Sequence, residues 1–193
     1  MNIFTLVLFI HVLSAIALFI AIAFEGAVVL RLRAAENIEQ LRESAGASRR
    51  LGAIYGPAVL GILVCGMYLA FQLHIRAAWV PLAFLGTLLM AIVSGIVPGI
   101  KMSRLRKALA QSDPSFENLR GVARSNALVV SYGFRAGLAV GILFLMSTTP
   151  GLVPSIVVLA VASILGIFFG LGFRRASRSS SAWKSTQPET TRS

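Results

Sequence analysis

A chain of 193 residues that is 56% apolar and 13% charged, with a mean hydropathy of +0.82, lies outside the balance of a domain that folds in water. Its net charge of +11 invites a nucleic-acid reading, but the Lys and Arg residues stand in short segments between long apolar runs. That is the pattern of a membrane protein's cytoplasmic face, and it excludes nucleic acid as a partner.

About 20 apolar residues cross the hydrocarbon core of a bilayer. The first run of that length is Ile3 to Leu30. Although Ala21-Ile22-Ala23 mimics a signal-peptide cleavage site, the run lacks a basic leader and is too long for a signal peptide's apolar region. Arg31 and Arg33 behind it act as a stop-transfer signal, so it is expected to remain as a span. Next, Glu36, Glu39, Arg42 and Glu43 alternate charge at helical spacing, and this loop is expected to continue the first helix into the cytoplasm as a solvated face.

Leu51 to Leu73 and Ala77 to Ile100 form the second and third spans, joined only by His74-Ile75-Arg76 and expected to make a tight hairpin. Cys65 lies in the second span with no second thiol in the chain, which removes a disulfide framework and a four-thiolate metal site. Pro57 and Pro98 sit near the cytoplasmic ends of these spans, where proline frees carbonyls and bends helices. The bland outcome is a kink; the functional one is a small inward-facing vestibule. In the loop that follows, Ser112-Asp113-Pro114 is a helix-start signal, so Lys101 to Gln111 and Pro114 to Arg124 read as two short amphipathic pieces.

Asn126 to Ser147 and Leu152 to Phe173 are the fourth and fifth spans, joined by a tight turn over Thr148-Thr149-Pro150-Gly151. Residues 174–193 are a basic tail, rich in Ser and Thr and without apolar periodicity, expected to be disordered. Of the 18 Lys and Arg residues, all but Arg76 and Arg135 fall in the first loop, the third loop and the tail. The fold class is therefore an all-α bundle of five transmembrane helices over residues 1–173, with its N-terminus outside and its C-terminus cytoplasmic. The basic loops and tail are expected to meet anionic lipid headgroups.

Lipid removes most of the hydrophobic drive between helices, so close packing through small residues must supply it. Gly133, Gly137 and Gly141 make two G-x-x-x-G steps on the fourth span, and Gly166 and Gly170 make one on the fifth. Gly95 with Gly99 and Gly52 with Gly56 do the same on the third and second. These steps are expected to pack within one chain rather than between copies, although a homo-oligomer or a complex with another membrane protein stays open.

An ionisable side chain in the hydrocarbon region costs about 2.5 to 3.5 kcal/mol on insertion scales and so requires a partner or a purpose. Glu25 and Arg135 lie in the first and fourth spans at similar depth and are expected to pair, fixing the first helix against the glycine face of the fourth. The bland role for such a pair is helix orientation; the functional one is part of a polar path with Tyr55 and Tyr132. His11 shares a helical stripe with Ala15, Leu18, Ile22 and Glu25, and His74 ends the second span in the same leaflet. Either histidine could ligate haem b or copper, with Cys65, Met67 and Met90 nearby in sequence depth, or His11 could simply donate to a carbonyl. No phosphate-binding loop, hydrolase elbow or zinc-protease motif is present and the soluble loops are too short for a catalytic domain, so ATP-driven chemistry within this chain is not expected.

The opening Leu8-Phe9-Ile10-His11-Val12-Leu13-Ser14-Ala15, Trp79 at the start of the third span, and the turn Phe144-Leu145-Met146-Ser147-Thr148-Thr149-Pro150-Gly151-Leu152 resemble uncharacterised bacterial multi-pass membrane proteins. These are similar in turn to the copper-resistance D-like superfamily, which includes haem-binding protoporphyrinogen oxidases of the HemJ type. The resemblance implies a bacterial inner membrane, and His11 matches the first-helix histidine that ligates haem in those relatives. Two functions follow as expectations. One is an accessory or structural subunit or a small-solute permease component without a cofactor; the other is a haem- or copper-linked redox protein using His11.

Overall fold

The computed structural model describes residues 2–75, 77–111 and 115–185, with side chains to residue 172. All its regular structure is helical: α1 (Ile3–Ala34), α2 (Ile38–Gln72), α3 (Trp79–Leu109), α4 (Phe116–Ala123), α5 (Asn126–Thr148) and α6 (Leu152–Ser185). Five helical segments are long and apolar enough to cross a membrane. At 32 and 35 residues, α1 and α2 are each about 50 Å long, well beyond a hydrocarbon core of about 30 Å. The excess lies at one end of the bundle, the basic end, where Arg31, Arg33, Arg42, Arg49, Lys101, Arg106 and Arg124 gather.

The helical stretch after the first span belongs to α2 rather than to α1, a correction to the sequence reading. Asn37 breaks the chain and caps the new helix, its Oδ1 accepting the Gln40 N–H at 2.9 Å. Gln40 Oε1 in turn accepts the Glu36 N–H at 2.8 Å, a reciprocal arrangement close to a capping box. Similarly, Lys101 to Leu109 is no separate piece but the end of α3, because no Gly or Pro follows Gly99 until residue 114 and Met102, Leu105 and Leu109 are buried. The second piece forms as α4 from Phe116; its expected start at Ser112-Asp113-Pro114 lies outside the described residues.

The backbone of α6 runs to Ser185, past the expected boundary at Phe173, through Ala, Ser and Arg residues that do not break helices; residues 186–193 lie outside the described residues.

The helices pack as two close pairs, α1 with α2 and α5 with α6, and α3 lies against α5 and α2. Glycine explains the second pair. A side chain on Gly137 would meet the Ala162 carbonyl, one on Gly133 the Gly166 carbonyl, and one on Gly170 the Val129 carbonyl at 3.0 Å. Thus the G-x-x-x-G steps of the fourth and fifth spans meet each other within one chain, as backbone against backbone. Those at Gly52, Gly56 and Gly95 have open space beside them.

Two aliphatic cores result. One, at mid-height, joins Leu18, Ile22, Ile62, Met90, Leu138 and Ile142; the other, at the basic end, joins Leu32, Leu41, Leu105, Leu119 and Leu128. Reciprocal contacts stitch the second shut: Arg33 Nη1 donates to the Arg124 carbonyl at 3.0 Å, and Arg124 Nε donates to the Arg33 carbonyl at 3.3 Å.

Candidate functional site

Between the two cores lies the polar centre of the bundle. Arg135 Nη2 donates to Glu25 Oε1 at 2.5 Å and Nη1 donates to Glu25 Oε2 at 2.8 Å, a bidentate ion pair joining α5 to α1. Nη1 also donates to Ser94 Oγ at 3.2 Å, and Nε donates to the Ser131 carbonyl at 3.2 Å. Four of the five N–H groups of the guanidinium are thereby used. The Tyr55 ring lies 5.9 Å from the guanidinium carbon, and its hydroxyl donates to the Met90 carbonyl at 3.4 Å. One pair of charges therefore organises α1, α2, α3 and α5 around it.

The two partners are not equally enclosed. The Arg135 side chain is 1% exposed, whereas Glu25 is 18% exposed. What exposes Glu25 is a cavity of about 310 Å3 between α1, α2 and α3, whose lining includes Ala21, Ser48, Gly52, Tyr55, Ser94 and Pro98. Arg49 and Arg106, both exposed, stand at its basic end. Glycine and proline create the space: a side chain on Gly52 would meet nothing within 4 Å, and one on Gly99 only the Ser94 carbonyl at 3.7 Å. Pro98 has no N–H for that same carbonyl, four residues back, which removes its usual helical hydrogen bond.

One detail of the expected pairing is corrected. The glycine face of α5 meets α6, not α1; Arg135, two residues from Gly133 and from Gly137, points the other way, because two helical steps turn a side chain by about 200°. Tyr132 is also separated from the pair's cavity. Its hydroxyl packs on Gly26, and it lines a mostly apolar groove of about 360 Å3 between α1, α5 and α6.

A scan of protein-family models, a search of curated proteins and a search of solved structures each find no match to this chain.

The two histidines are not brought together as one site. His11 is half-buried on α1, its ring packed on Gly66 and beside the Ile62 backbone of α2, with no hydrogen bond of good geometry to its buried Nδ1. His74 is exposed at the end of α2, with φ of 50°. His11 lines a space of about 40 Å3 with Thr87, Met90 and Met146, among others. That is room for about one water and not for a macrocycle, so these residues do not fit a haem. Cys65 and Met67 are absent from that lining, while Met146, missed in the sequence, is part of it. Ser94, Ser48, Arg49 and Arg106 were missed as well. A hydroxyl one residue before Gly95 and four before Pro98 was the available signal for Ser94.

Proposed function

We propose that this chain is a small-solute permease component of a bacterial inner membrane, with its N-terminus outside and the basic end in the cytoplasm. The observation that supports it best is the cavity that reaches Glu25 of the Glu25–Arg135 pair. Water reaching Glu25 eases its desolvation, but a structural ion pair needs only a few waters for that and not a cavity of about 310 Å3. Serine and tyrosine hydroxyls on two helices, a charged floor and a cationic mouth are instead the makings of a polar binding site, entered from the cytoplasm. The Lys and Arg distribution supports the orientation, and the basic loops would lie against anionic headgroups.

Proteoliposomes holding the full chain are expected to re-swell severalfold faster than protein-free vesicles after a jump in small organic solutes, followed by stopped-flow light scattering. Gly99→Leu, which fills the cavity without touching Arg135, should return the rate to the protein-free value. Equal rates for wild type and Gly99→Leu would remove the permease reading and leave an accessory subunit.

A second reading rests on the half-buried imidazole of His11 sharing one small space with Met90 and Met146. Imidazole with two thioethers is a donor set suited to Cu(I), which would supply one-electron chemistry when bound. Metal analysis of the purified protein beside His11→Ala decides it: stoichiometric copper lost in the variant supports the copper reading, and a metal-free wild type after copper loading ends it.

A further inference from the structure

We propose that the solute of this cavity is a small monocarboxylate, which takes the place of Glu25 on the Arg135 fork. This rests on reading the cavity as a solute site and adds what the site selects. The argument begins with donors. Arg135 has one N–H left after Glu25, Ser94 and the Ser131 carbonyl are served, so any ligand that gains a bidentate grip must displace one of them. The group already held there is a carboxylate, gripped through both oxygens in one plane. A solute carboxylate matches that place in charge and planar shape; a phosphate can also grip the fork through two oxygens but brings more charge and bulk than the group it would replace, and a cationic group is repelled.

Charge points the same way. Glu25 is the only carboxylate in the lining among the described residues; Arg49 and Arg106 stand in the cavity wall, and Arg135 lies behind Glu25. A cleft of that sign between apolar walls concentrates anions and repels cations. The exchange also has a direction. Glu25 lies on the cavity side of the pair and Arg135 on the buried side, so Glu25 can swing into the cavity while α5 stays in place. There it meets the hydroxyls of Ser48 and Tyr55 and the field of Arg49 and Arg106. The volume of about 310 Å3 is at the lower edge of small-ligand sites, which limits the solute to a few carbons beyond the carboxylate, or one ring.

The test is thiol labelling of the full chain in nanodiscs, with Cys65→Ala removing the native thiol and Gly52→Cys placing one in the cavity wall. An anionic methanethiosulfonate is expected to react about tenfold faster than a cationic one, each normalised to a free thiol. Acetate or benzoate should slow labelling, while methylammonium and glycerol should not. Glu25→Gln in the same background should lower the benzoate concentration for half-protection by about tenfold or more, because removing the resident competitor leaves the fork free. A merely structural pair would not give that shift. If Glu25→Gln does not fold, Glu25→Asp, which reaches the fork less well, should shift protection in the same direction.

Labelling that is indifferent to reagent charge and unmoved by carboxylates overturns the inference but keeps the open cavity. So does an unshifted half-protection in both Glu25 variants. Inorganic phosphate protecting at lower concentration than benzoate overturns the carboxylate assignment. No labelling by either reagent removes the solute-site reading itself.

Discussion

Glu25→Gln is expected to destabilise the solubilised protein by about 3 kcal/mol, the lower end of what stranding one member of a buried ion pair costs. The lost hydrogen bonds are the smaller part, since interhelical hydrogen bonds in membrane proteins average about 0.6 kcal/mol. The larger part is Arg135, 1% exposed, which cannot shed its proton and would keep only neutral partners, the Gln amide oxygen, Ser94 Oγ and the Ser131 carbonyl. Arg135→Met should cost less, about 1 to 2 kcal/mol, because the Glu25 it leaves behind is open to water through the cavity. The double variant should be more stable than Glu25→Gln alone. Thermal or denaturant unfolding of the four proteins in one detergent gives the coupling as a double-mutant cycle. A double variant whose loss equals the sum of the two single losses would mean that the pair carries no coupling.

The sequence showed that the two charges should meet, and the reason is simple: each is costly alone in an apolar span, and the five spans place them at one depth. It could not show which face of α5 turns toward α1. Gly133 and Gly137 read as a packing face, and only the pairing of that face with Gly166 and Gly170 leaves Arg135 directed at Glu25. The five apolar segments were legible from length and hydropathy because the lipid requirement is one-dimensional. Their ends were less so. The cap at Asn37, answered by Gln40, was written in the sequence as a local polar pair but was overshadowed by the charge alternation that follows it. The cavity depended on absences that composition does not report: Gly52 and Gly99 supply space only because no neighbouring helix fills it. His11 was legible as a polar residue on the buried stripe, yet its distance from His74 in the fold is set by the turn at the end of α2, which periodicity does not specify.

Gly137→Ala is expected to destabilise the protein by about 1 to 3 kcal/mol, although the same change in an unpacked helix would stabilise it by up to about 1 kcal/mol through propensity. The methyl would overlap the Ala162 carbonyl oxygen and stand 2.9 Å from its carbon and 3.1 Å from Ser163 Cα. All three atoms are backbone, so no rotamer change relieves the contact and α5 must move away from α6. Gly95→Ala is the matched control, a methyl added to α3 with nothing within 4 Å, and it should be neutral or stabilising. Opposite signs in thermal unfolding are therefore the expected result, and equal signs would deny that α5 and α6 touch through glycine. The consequence reaches the polar centre. Gly137 and Arg135 share one rigid helix, so displacing its glycine face from α6 pushes the opposite face toward α1 and crowds the Glu25 contact. Gly137→Ala should then also alter labelling of Gly52→Cys in the cavity, which a change confined to the α5–α6 seam would leave untouched.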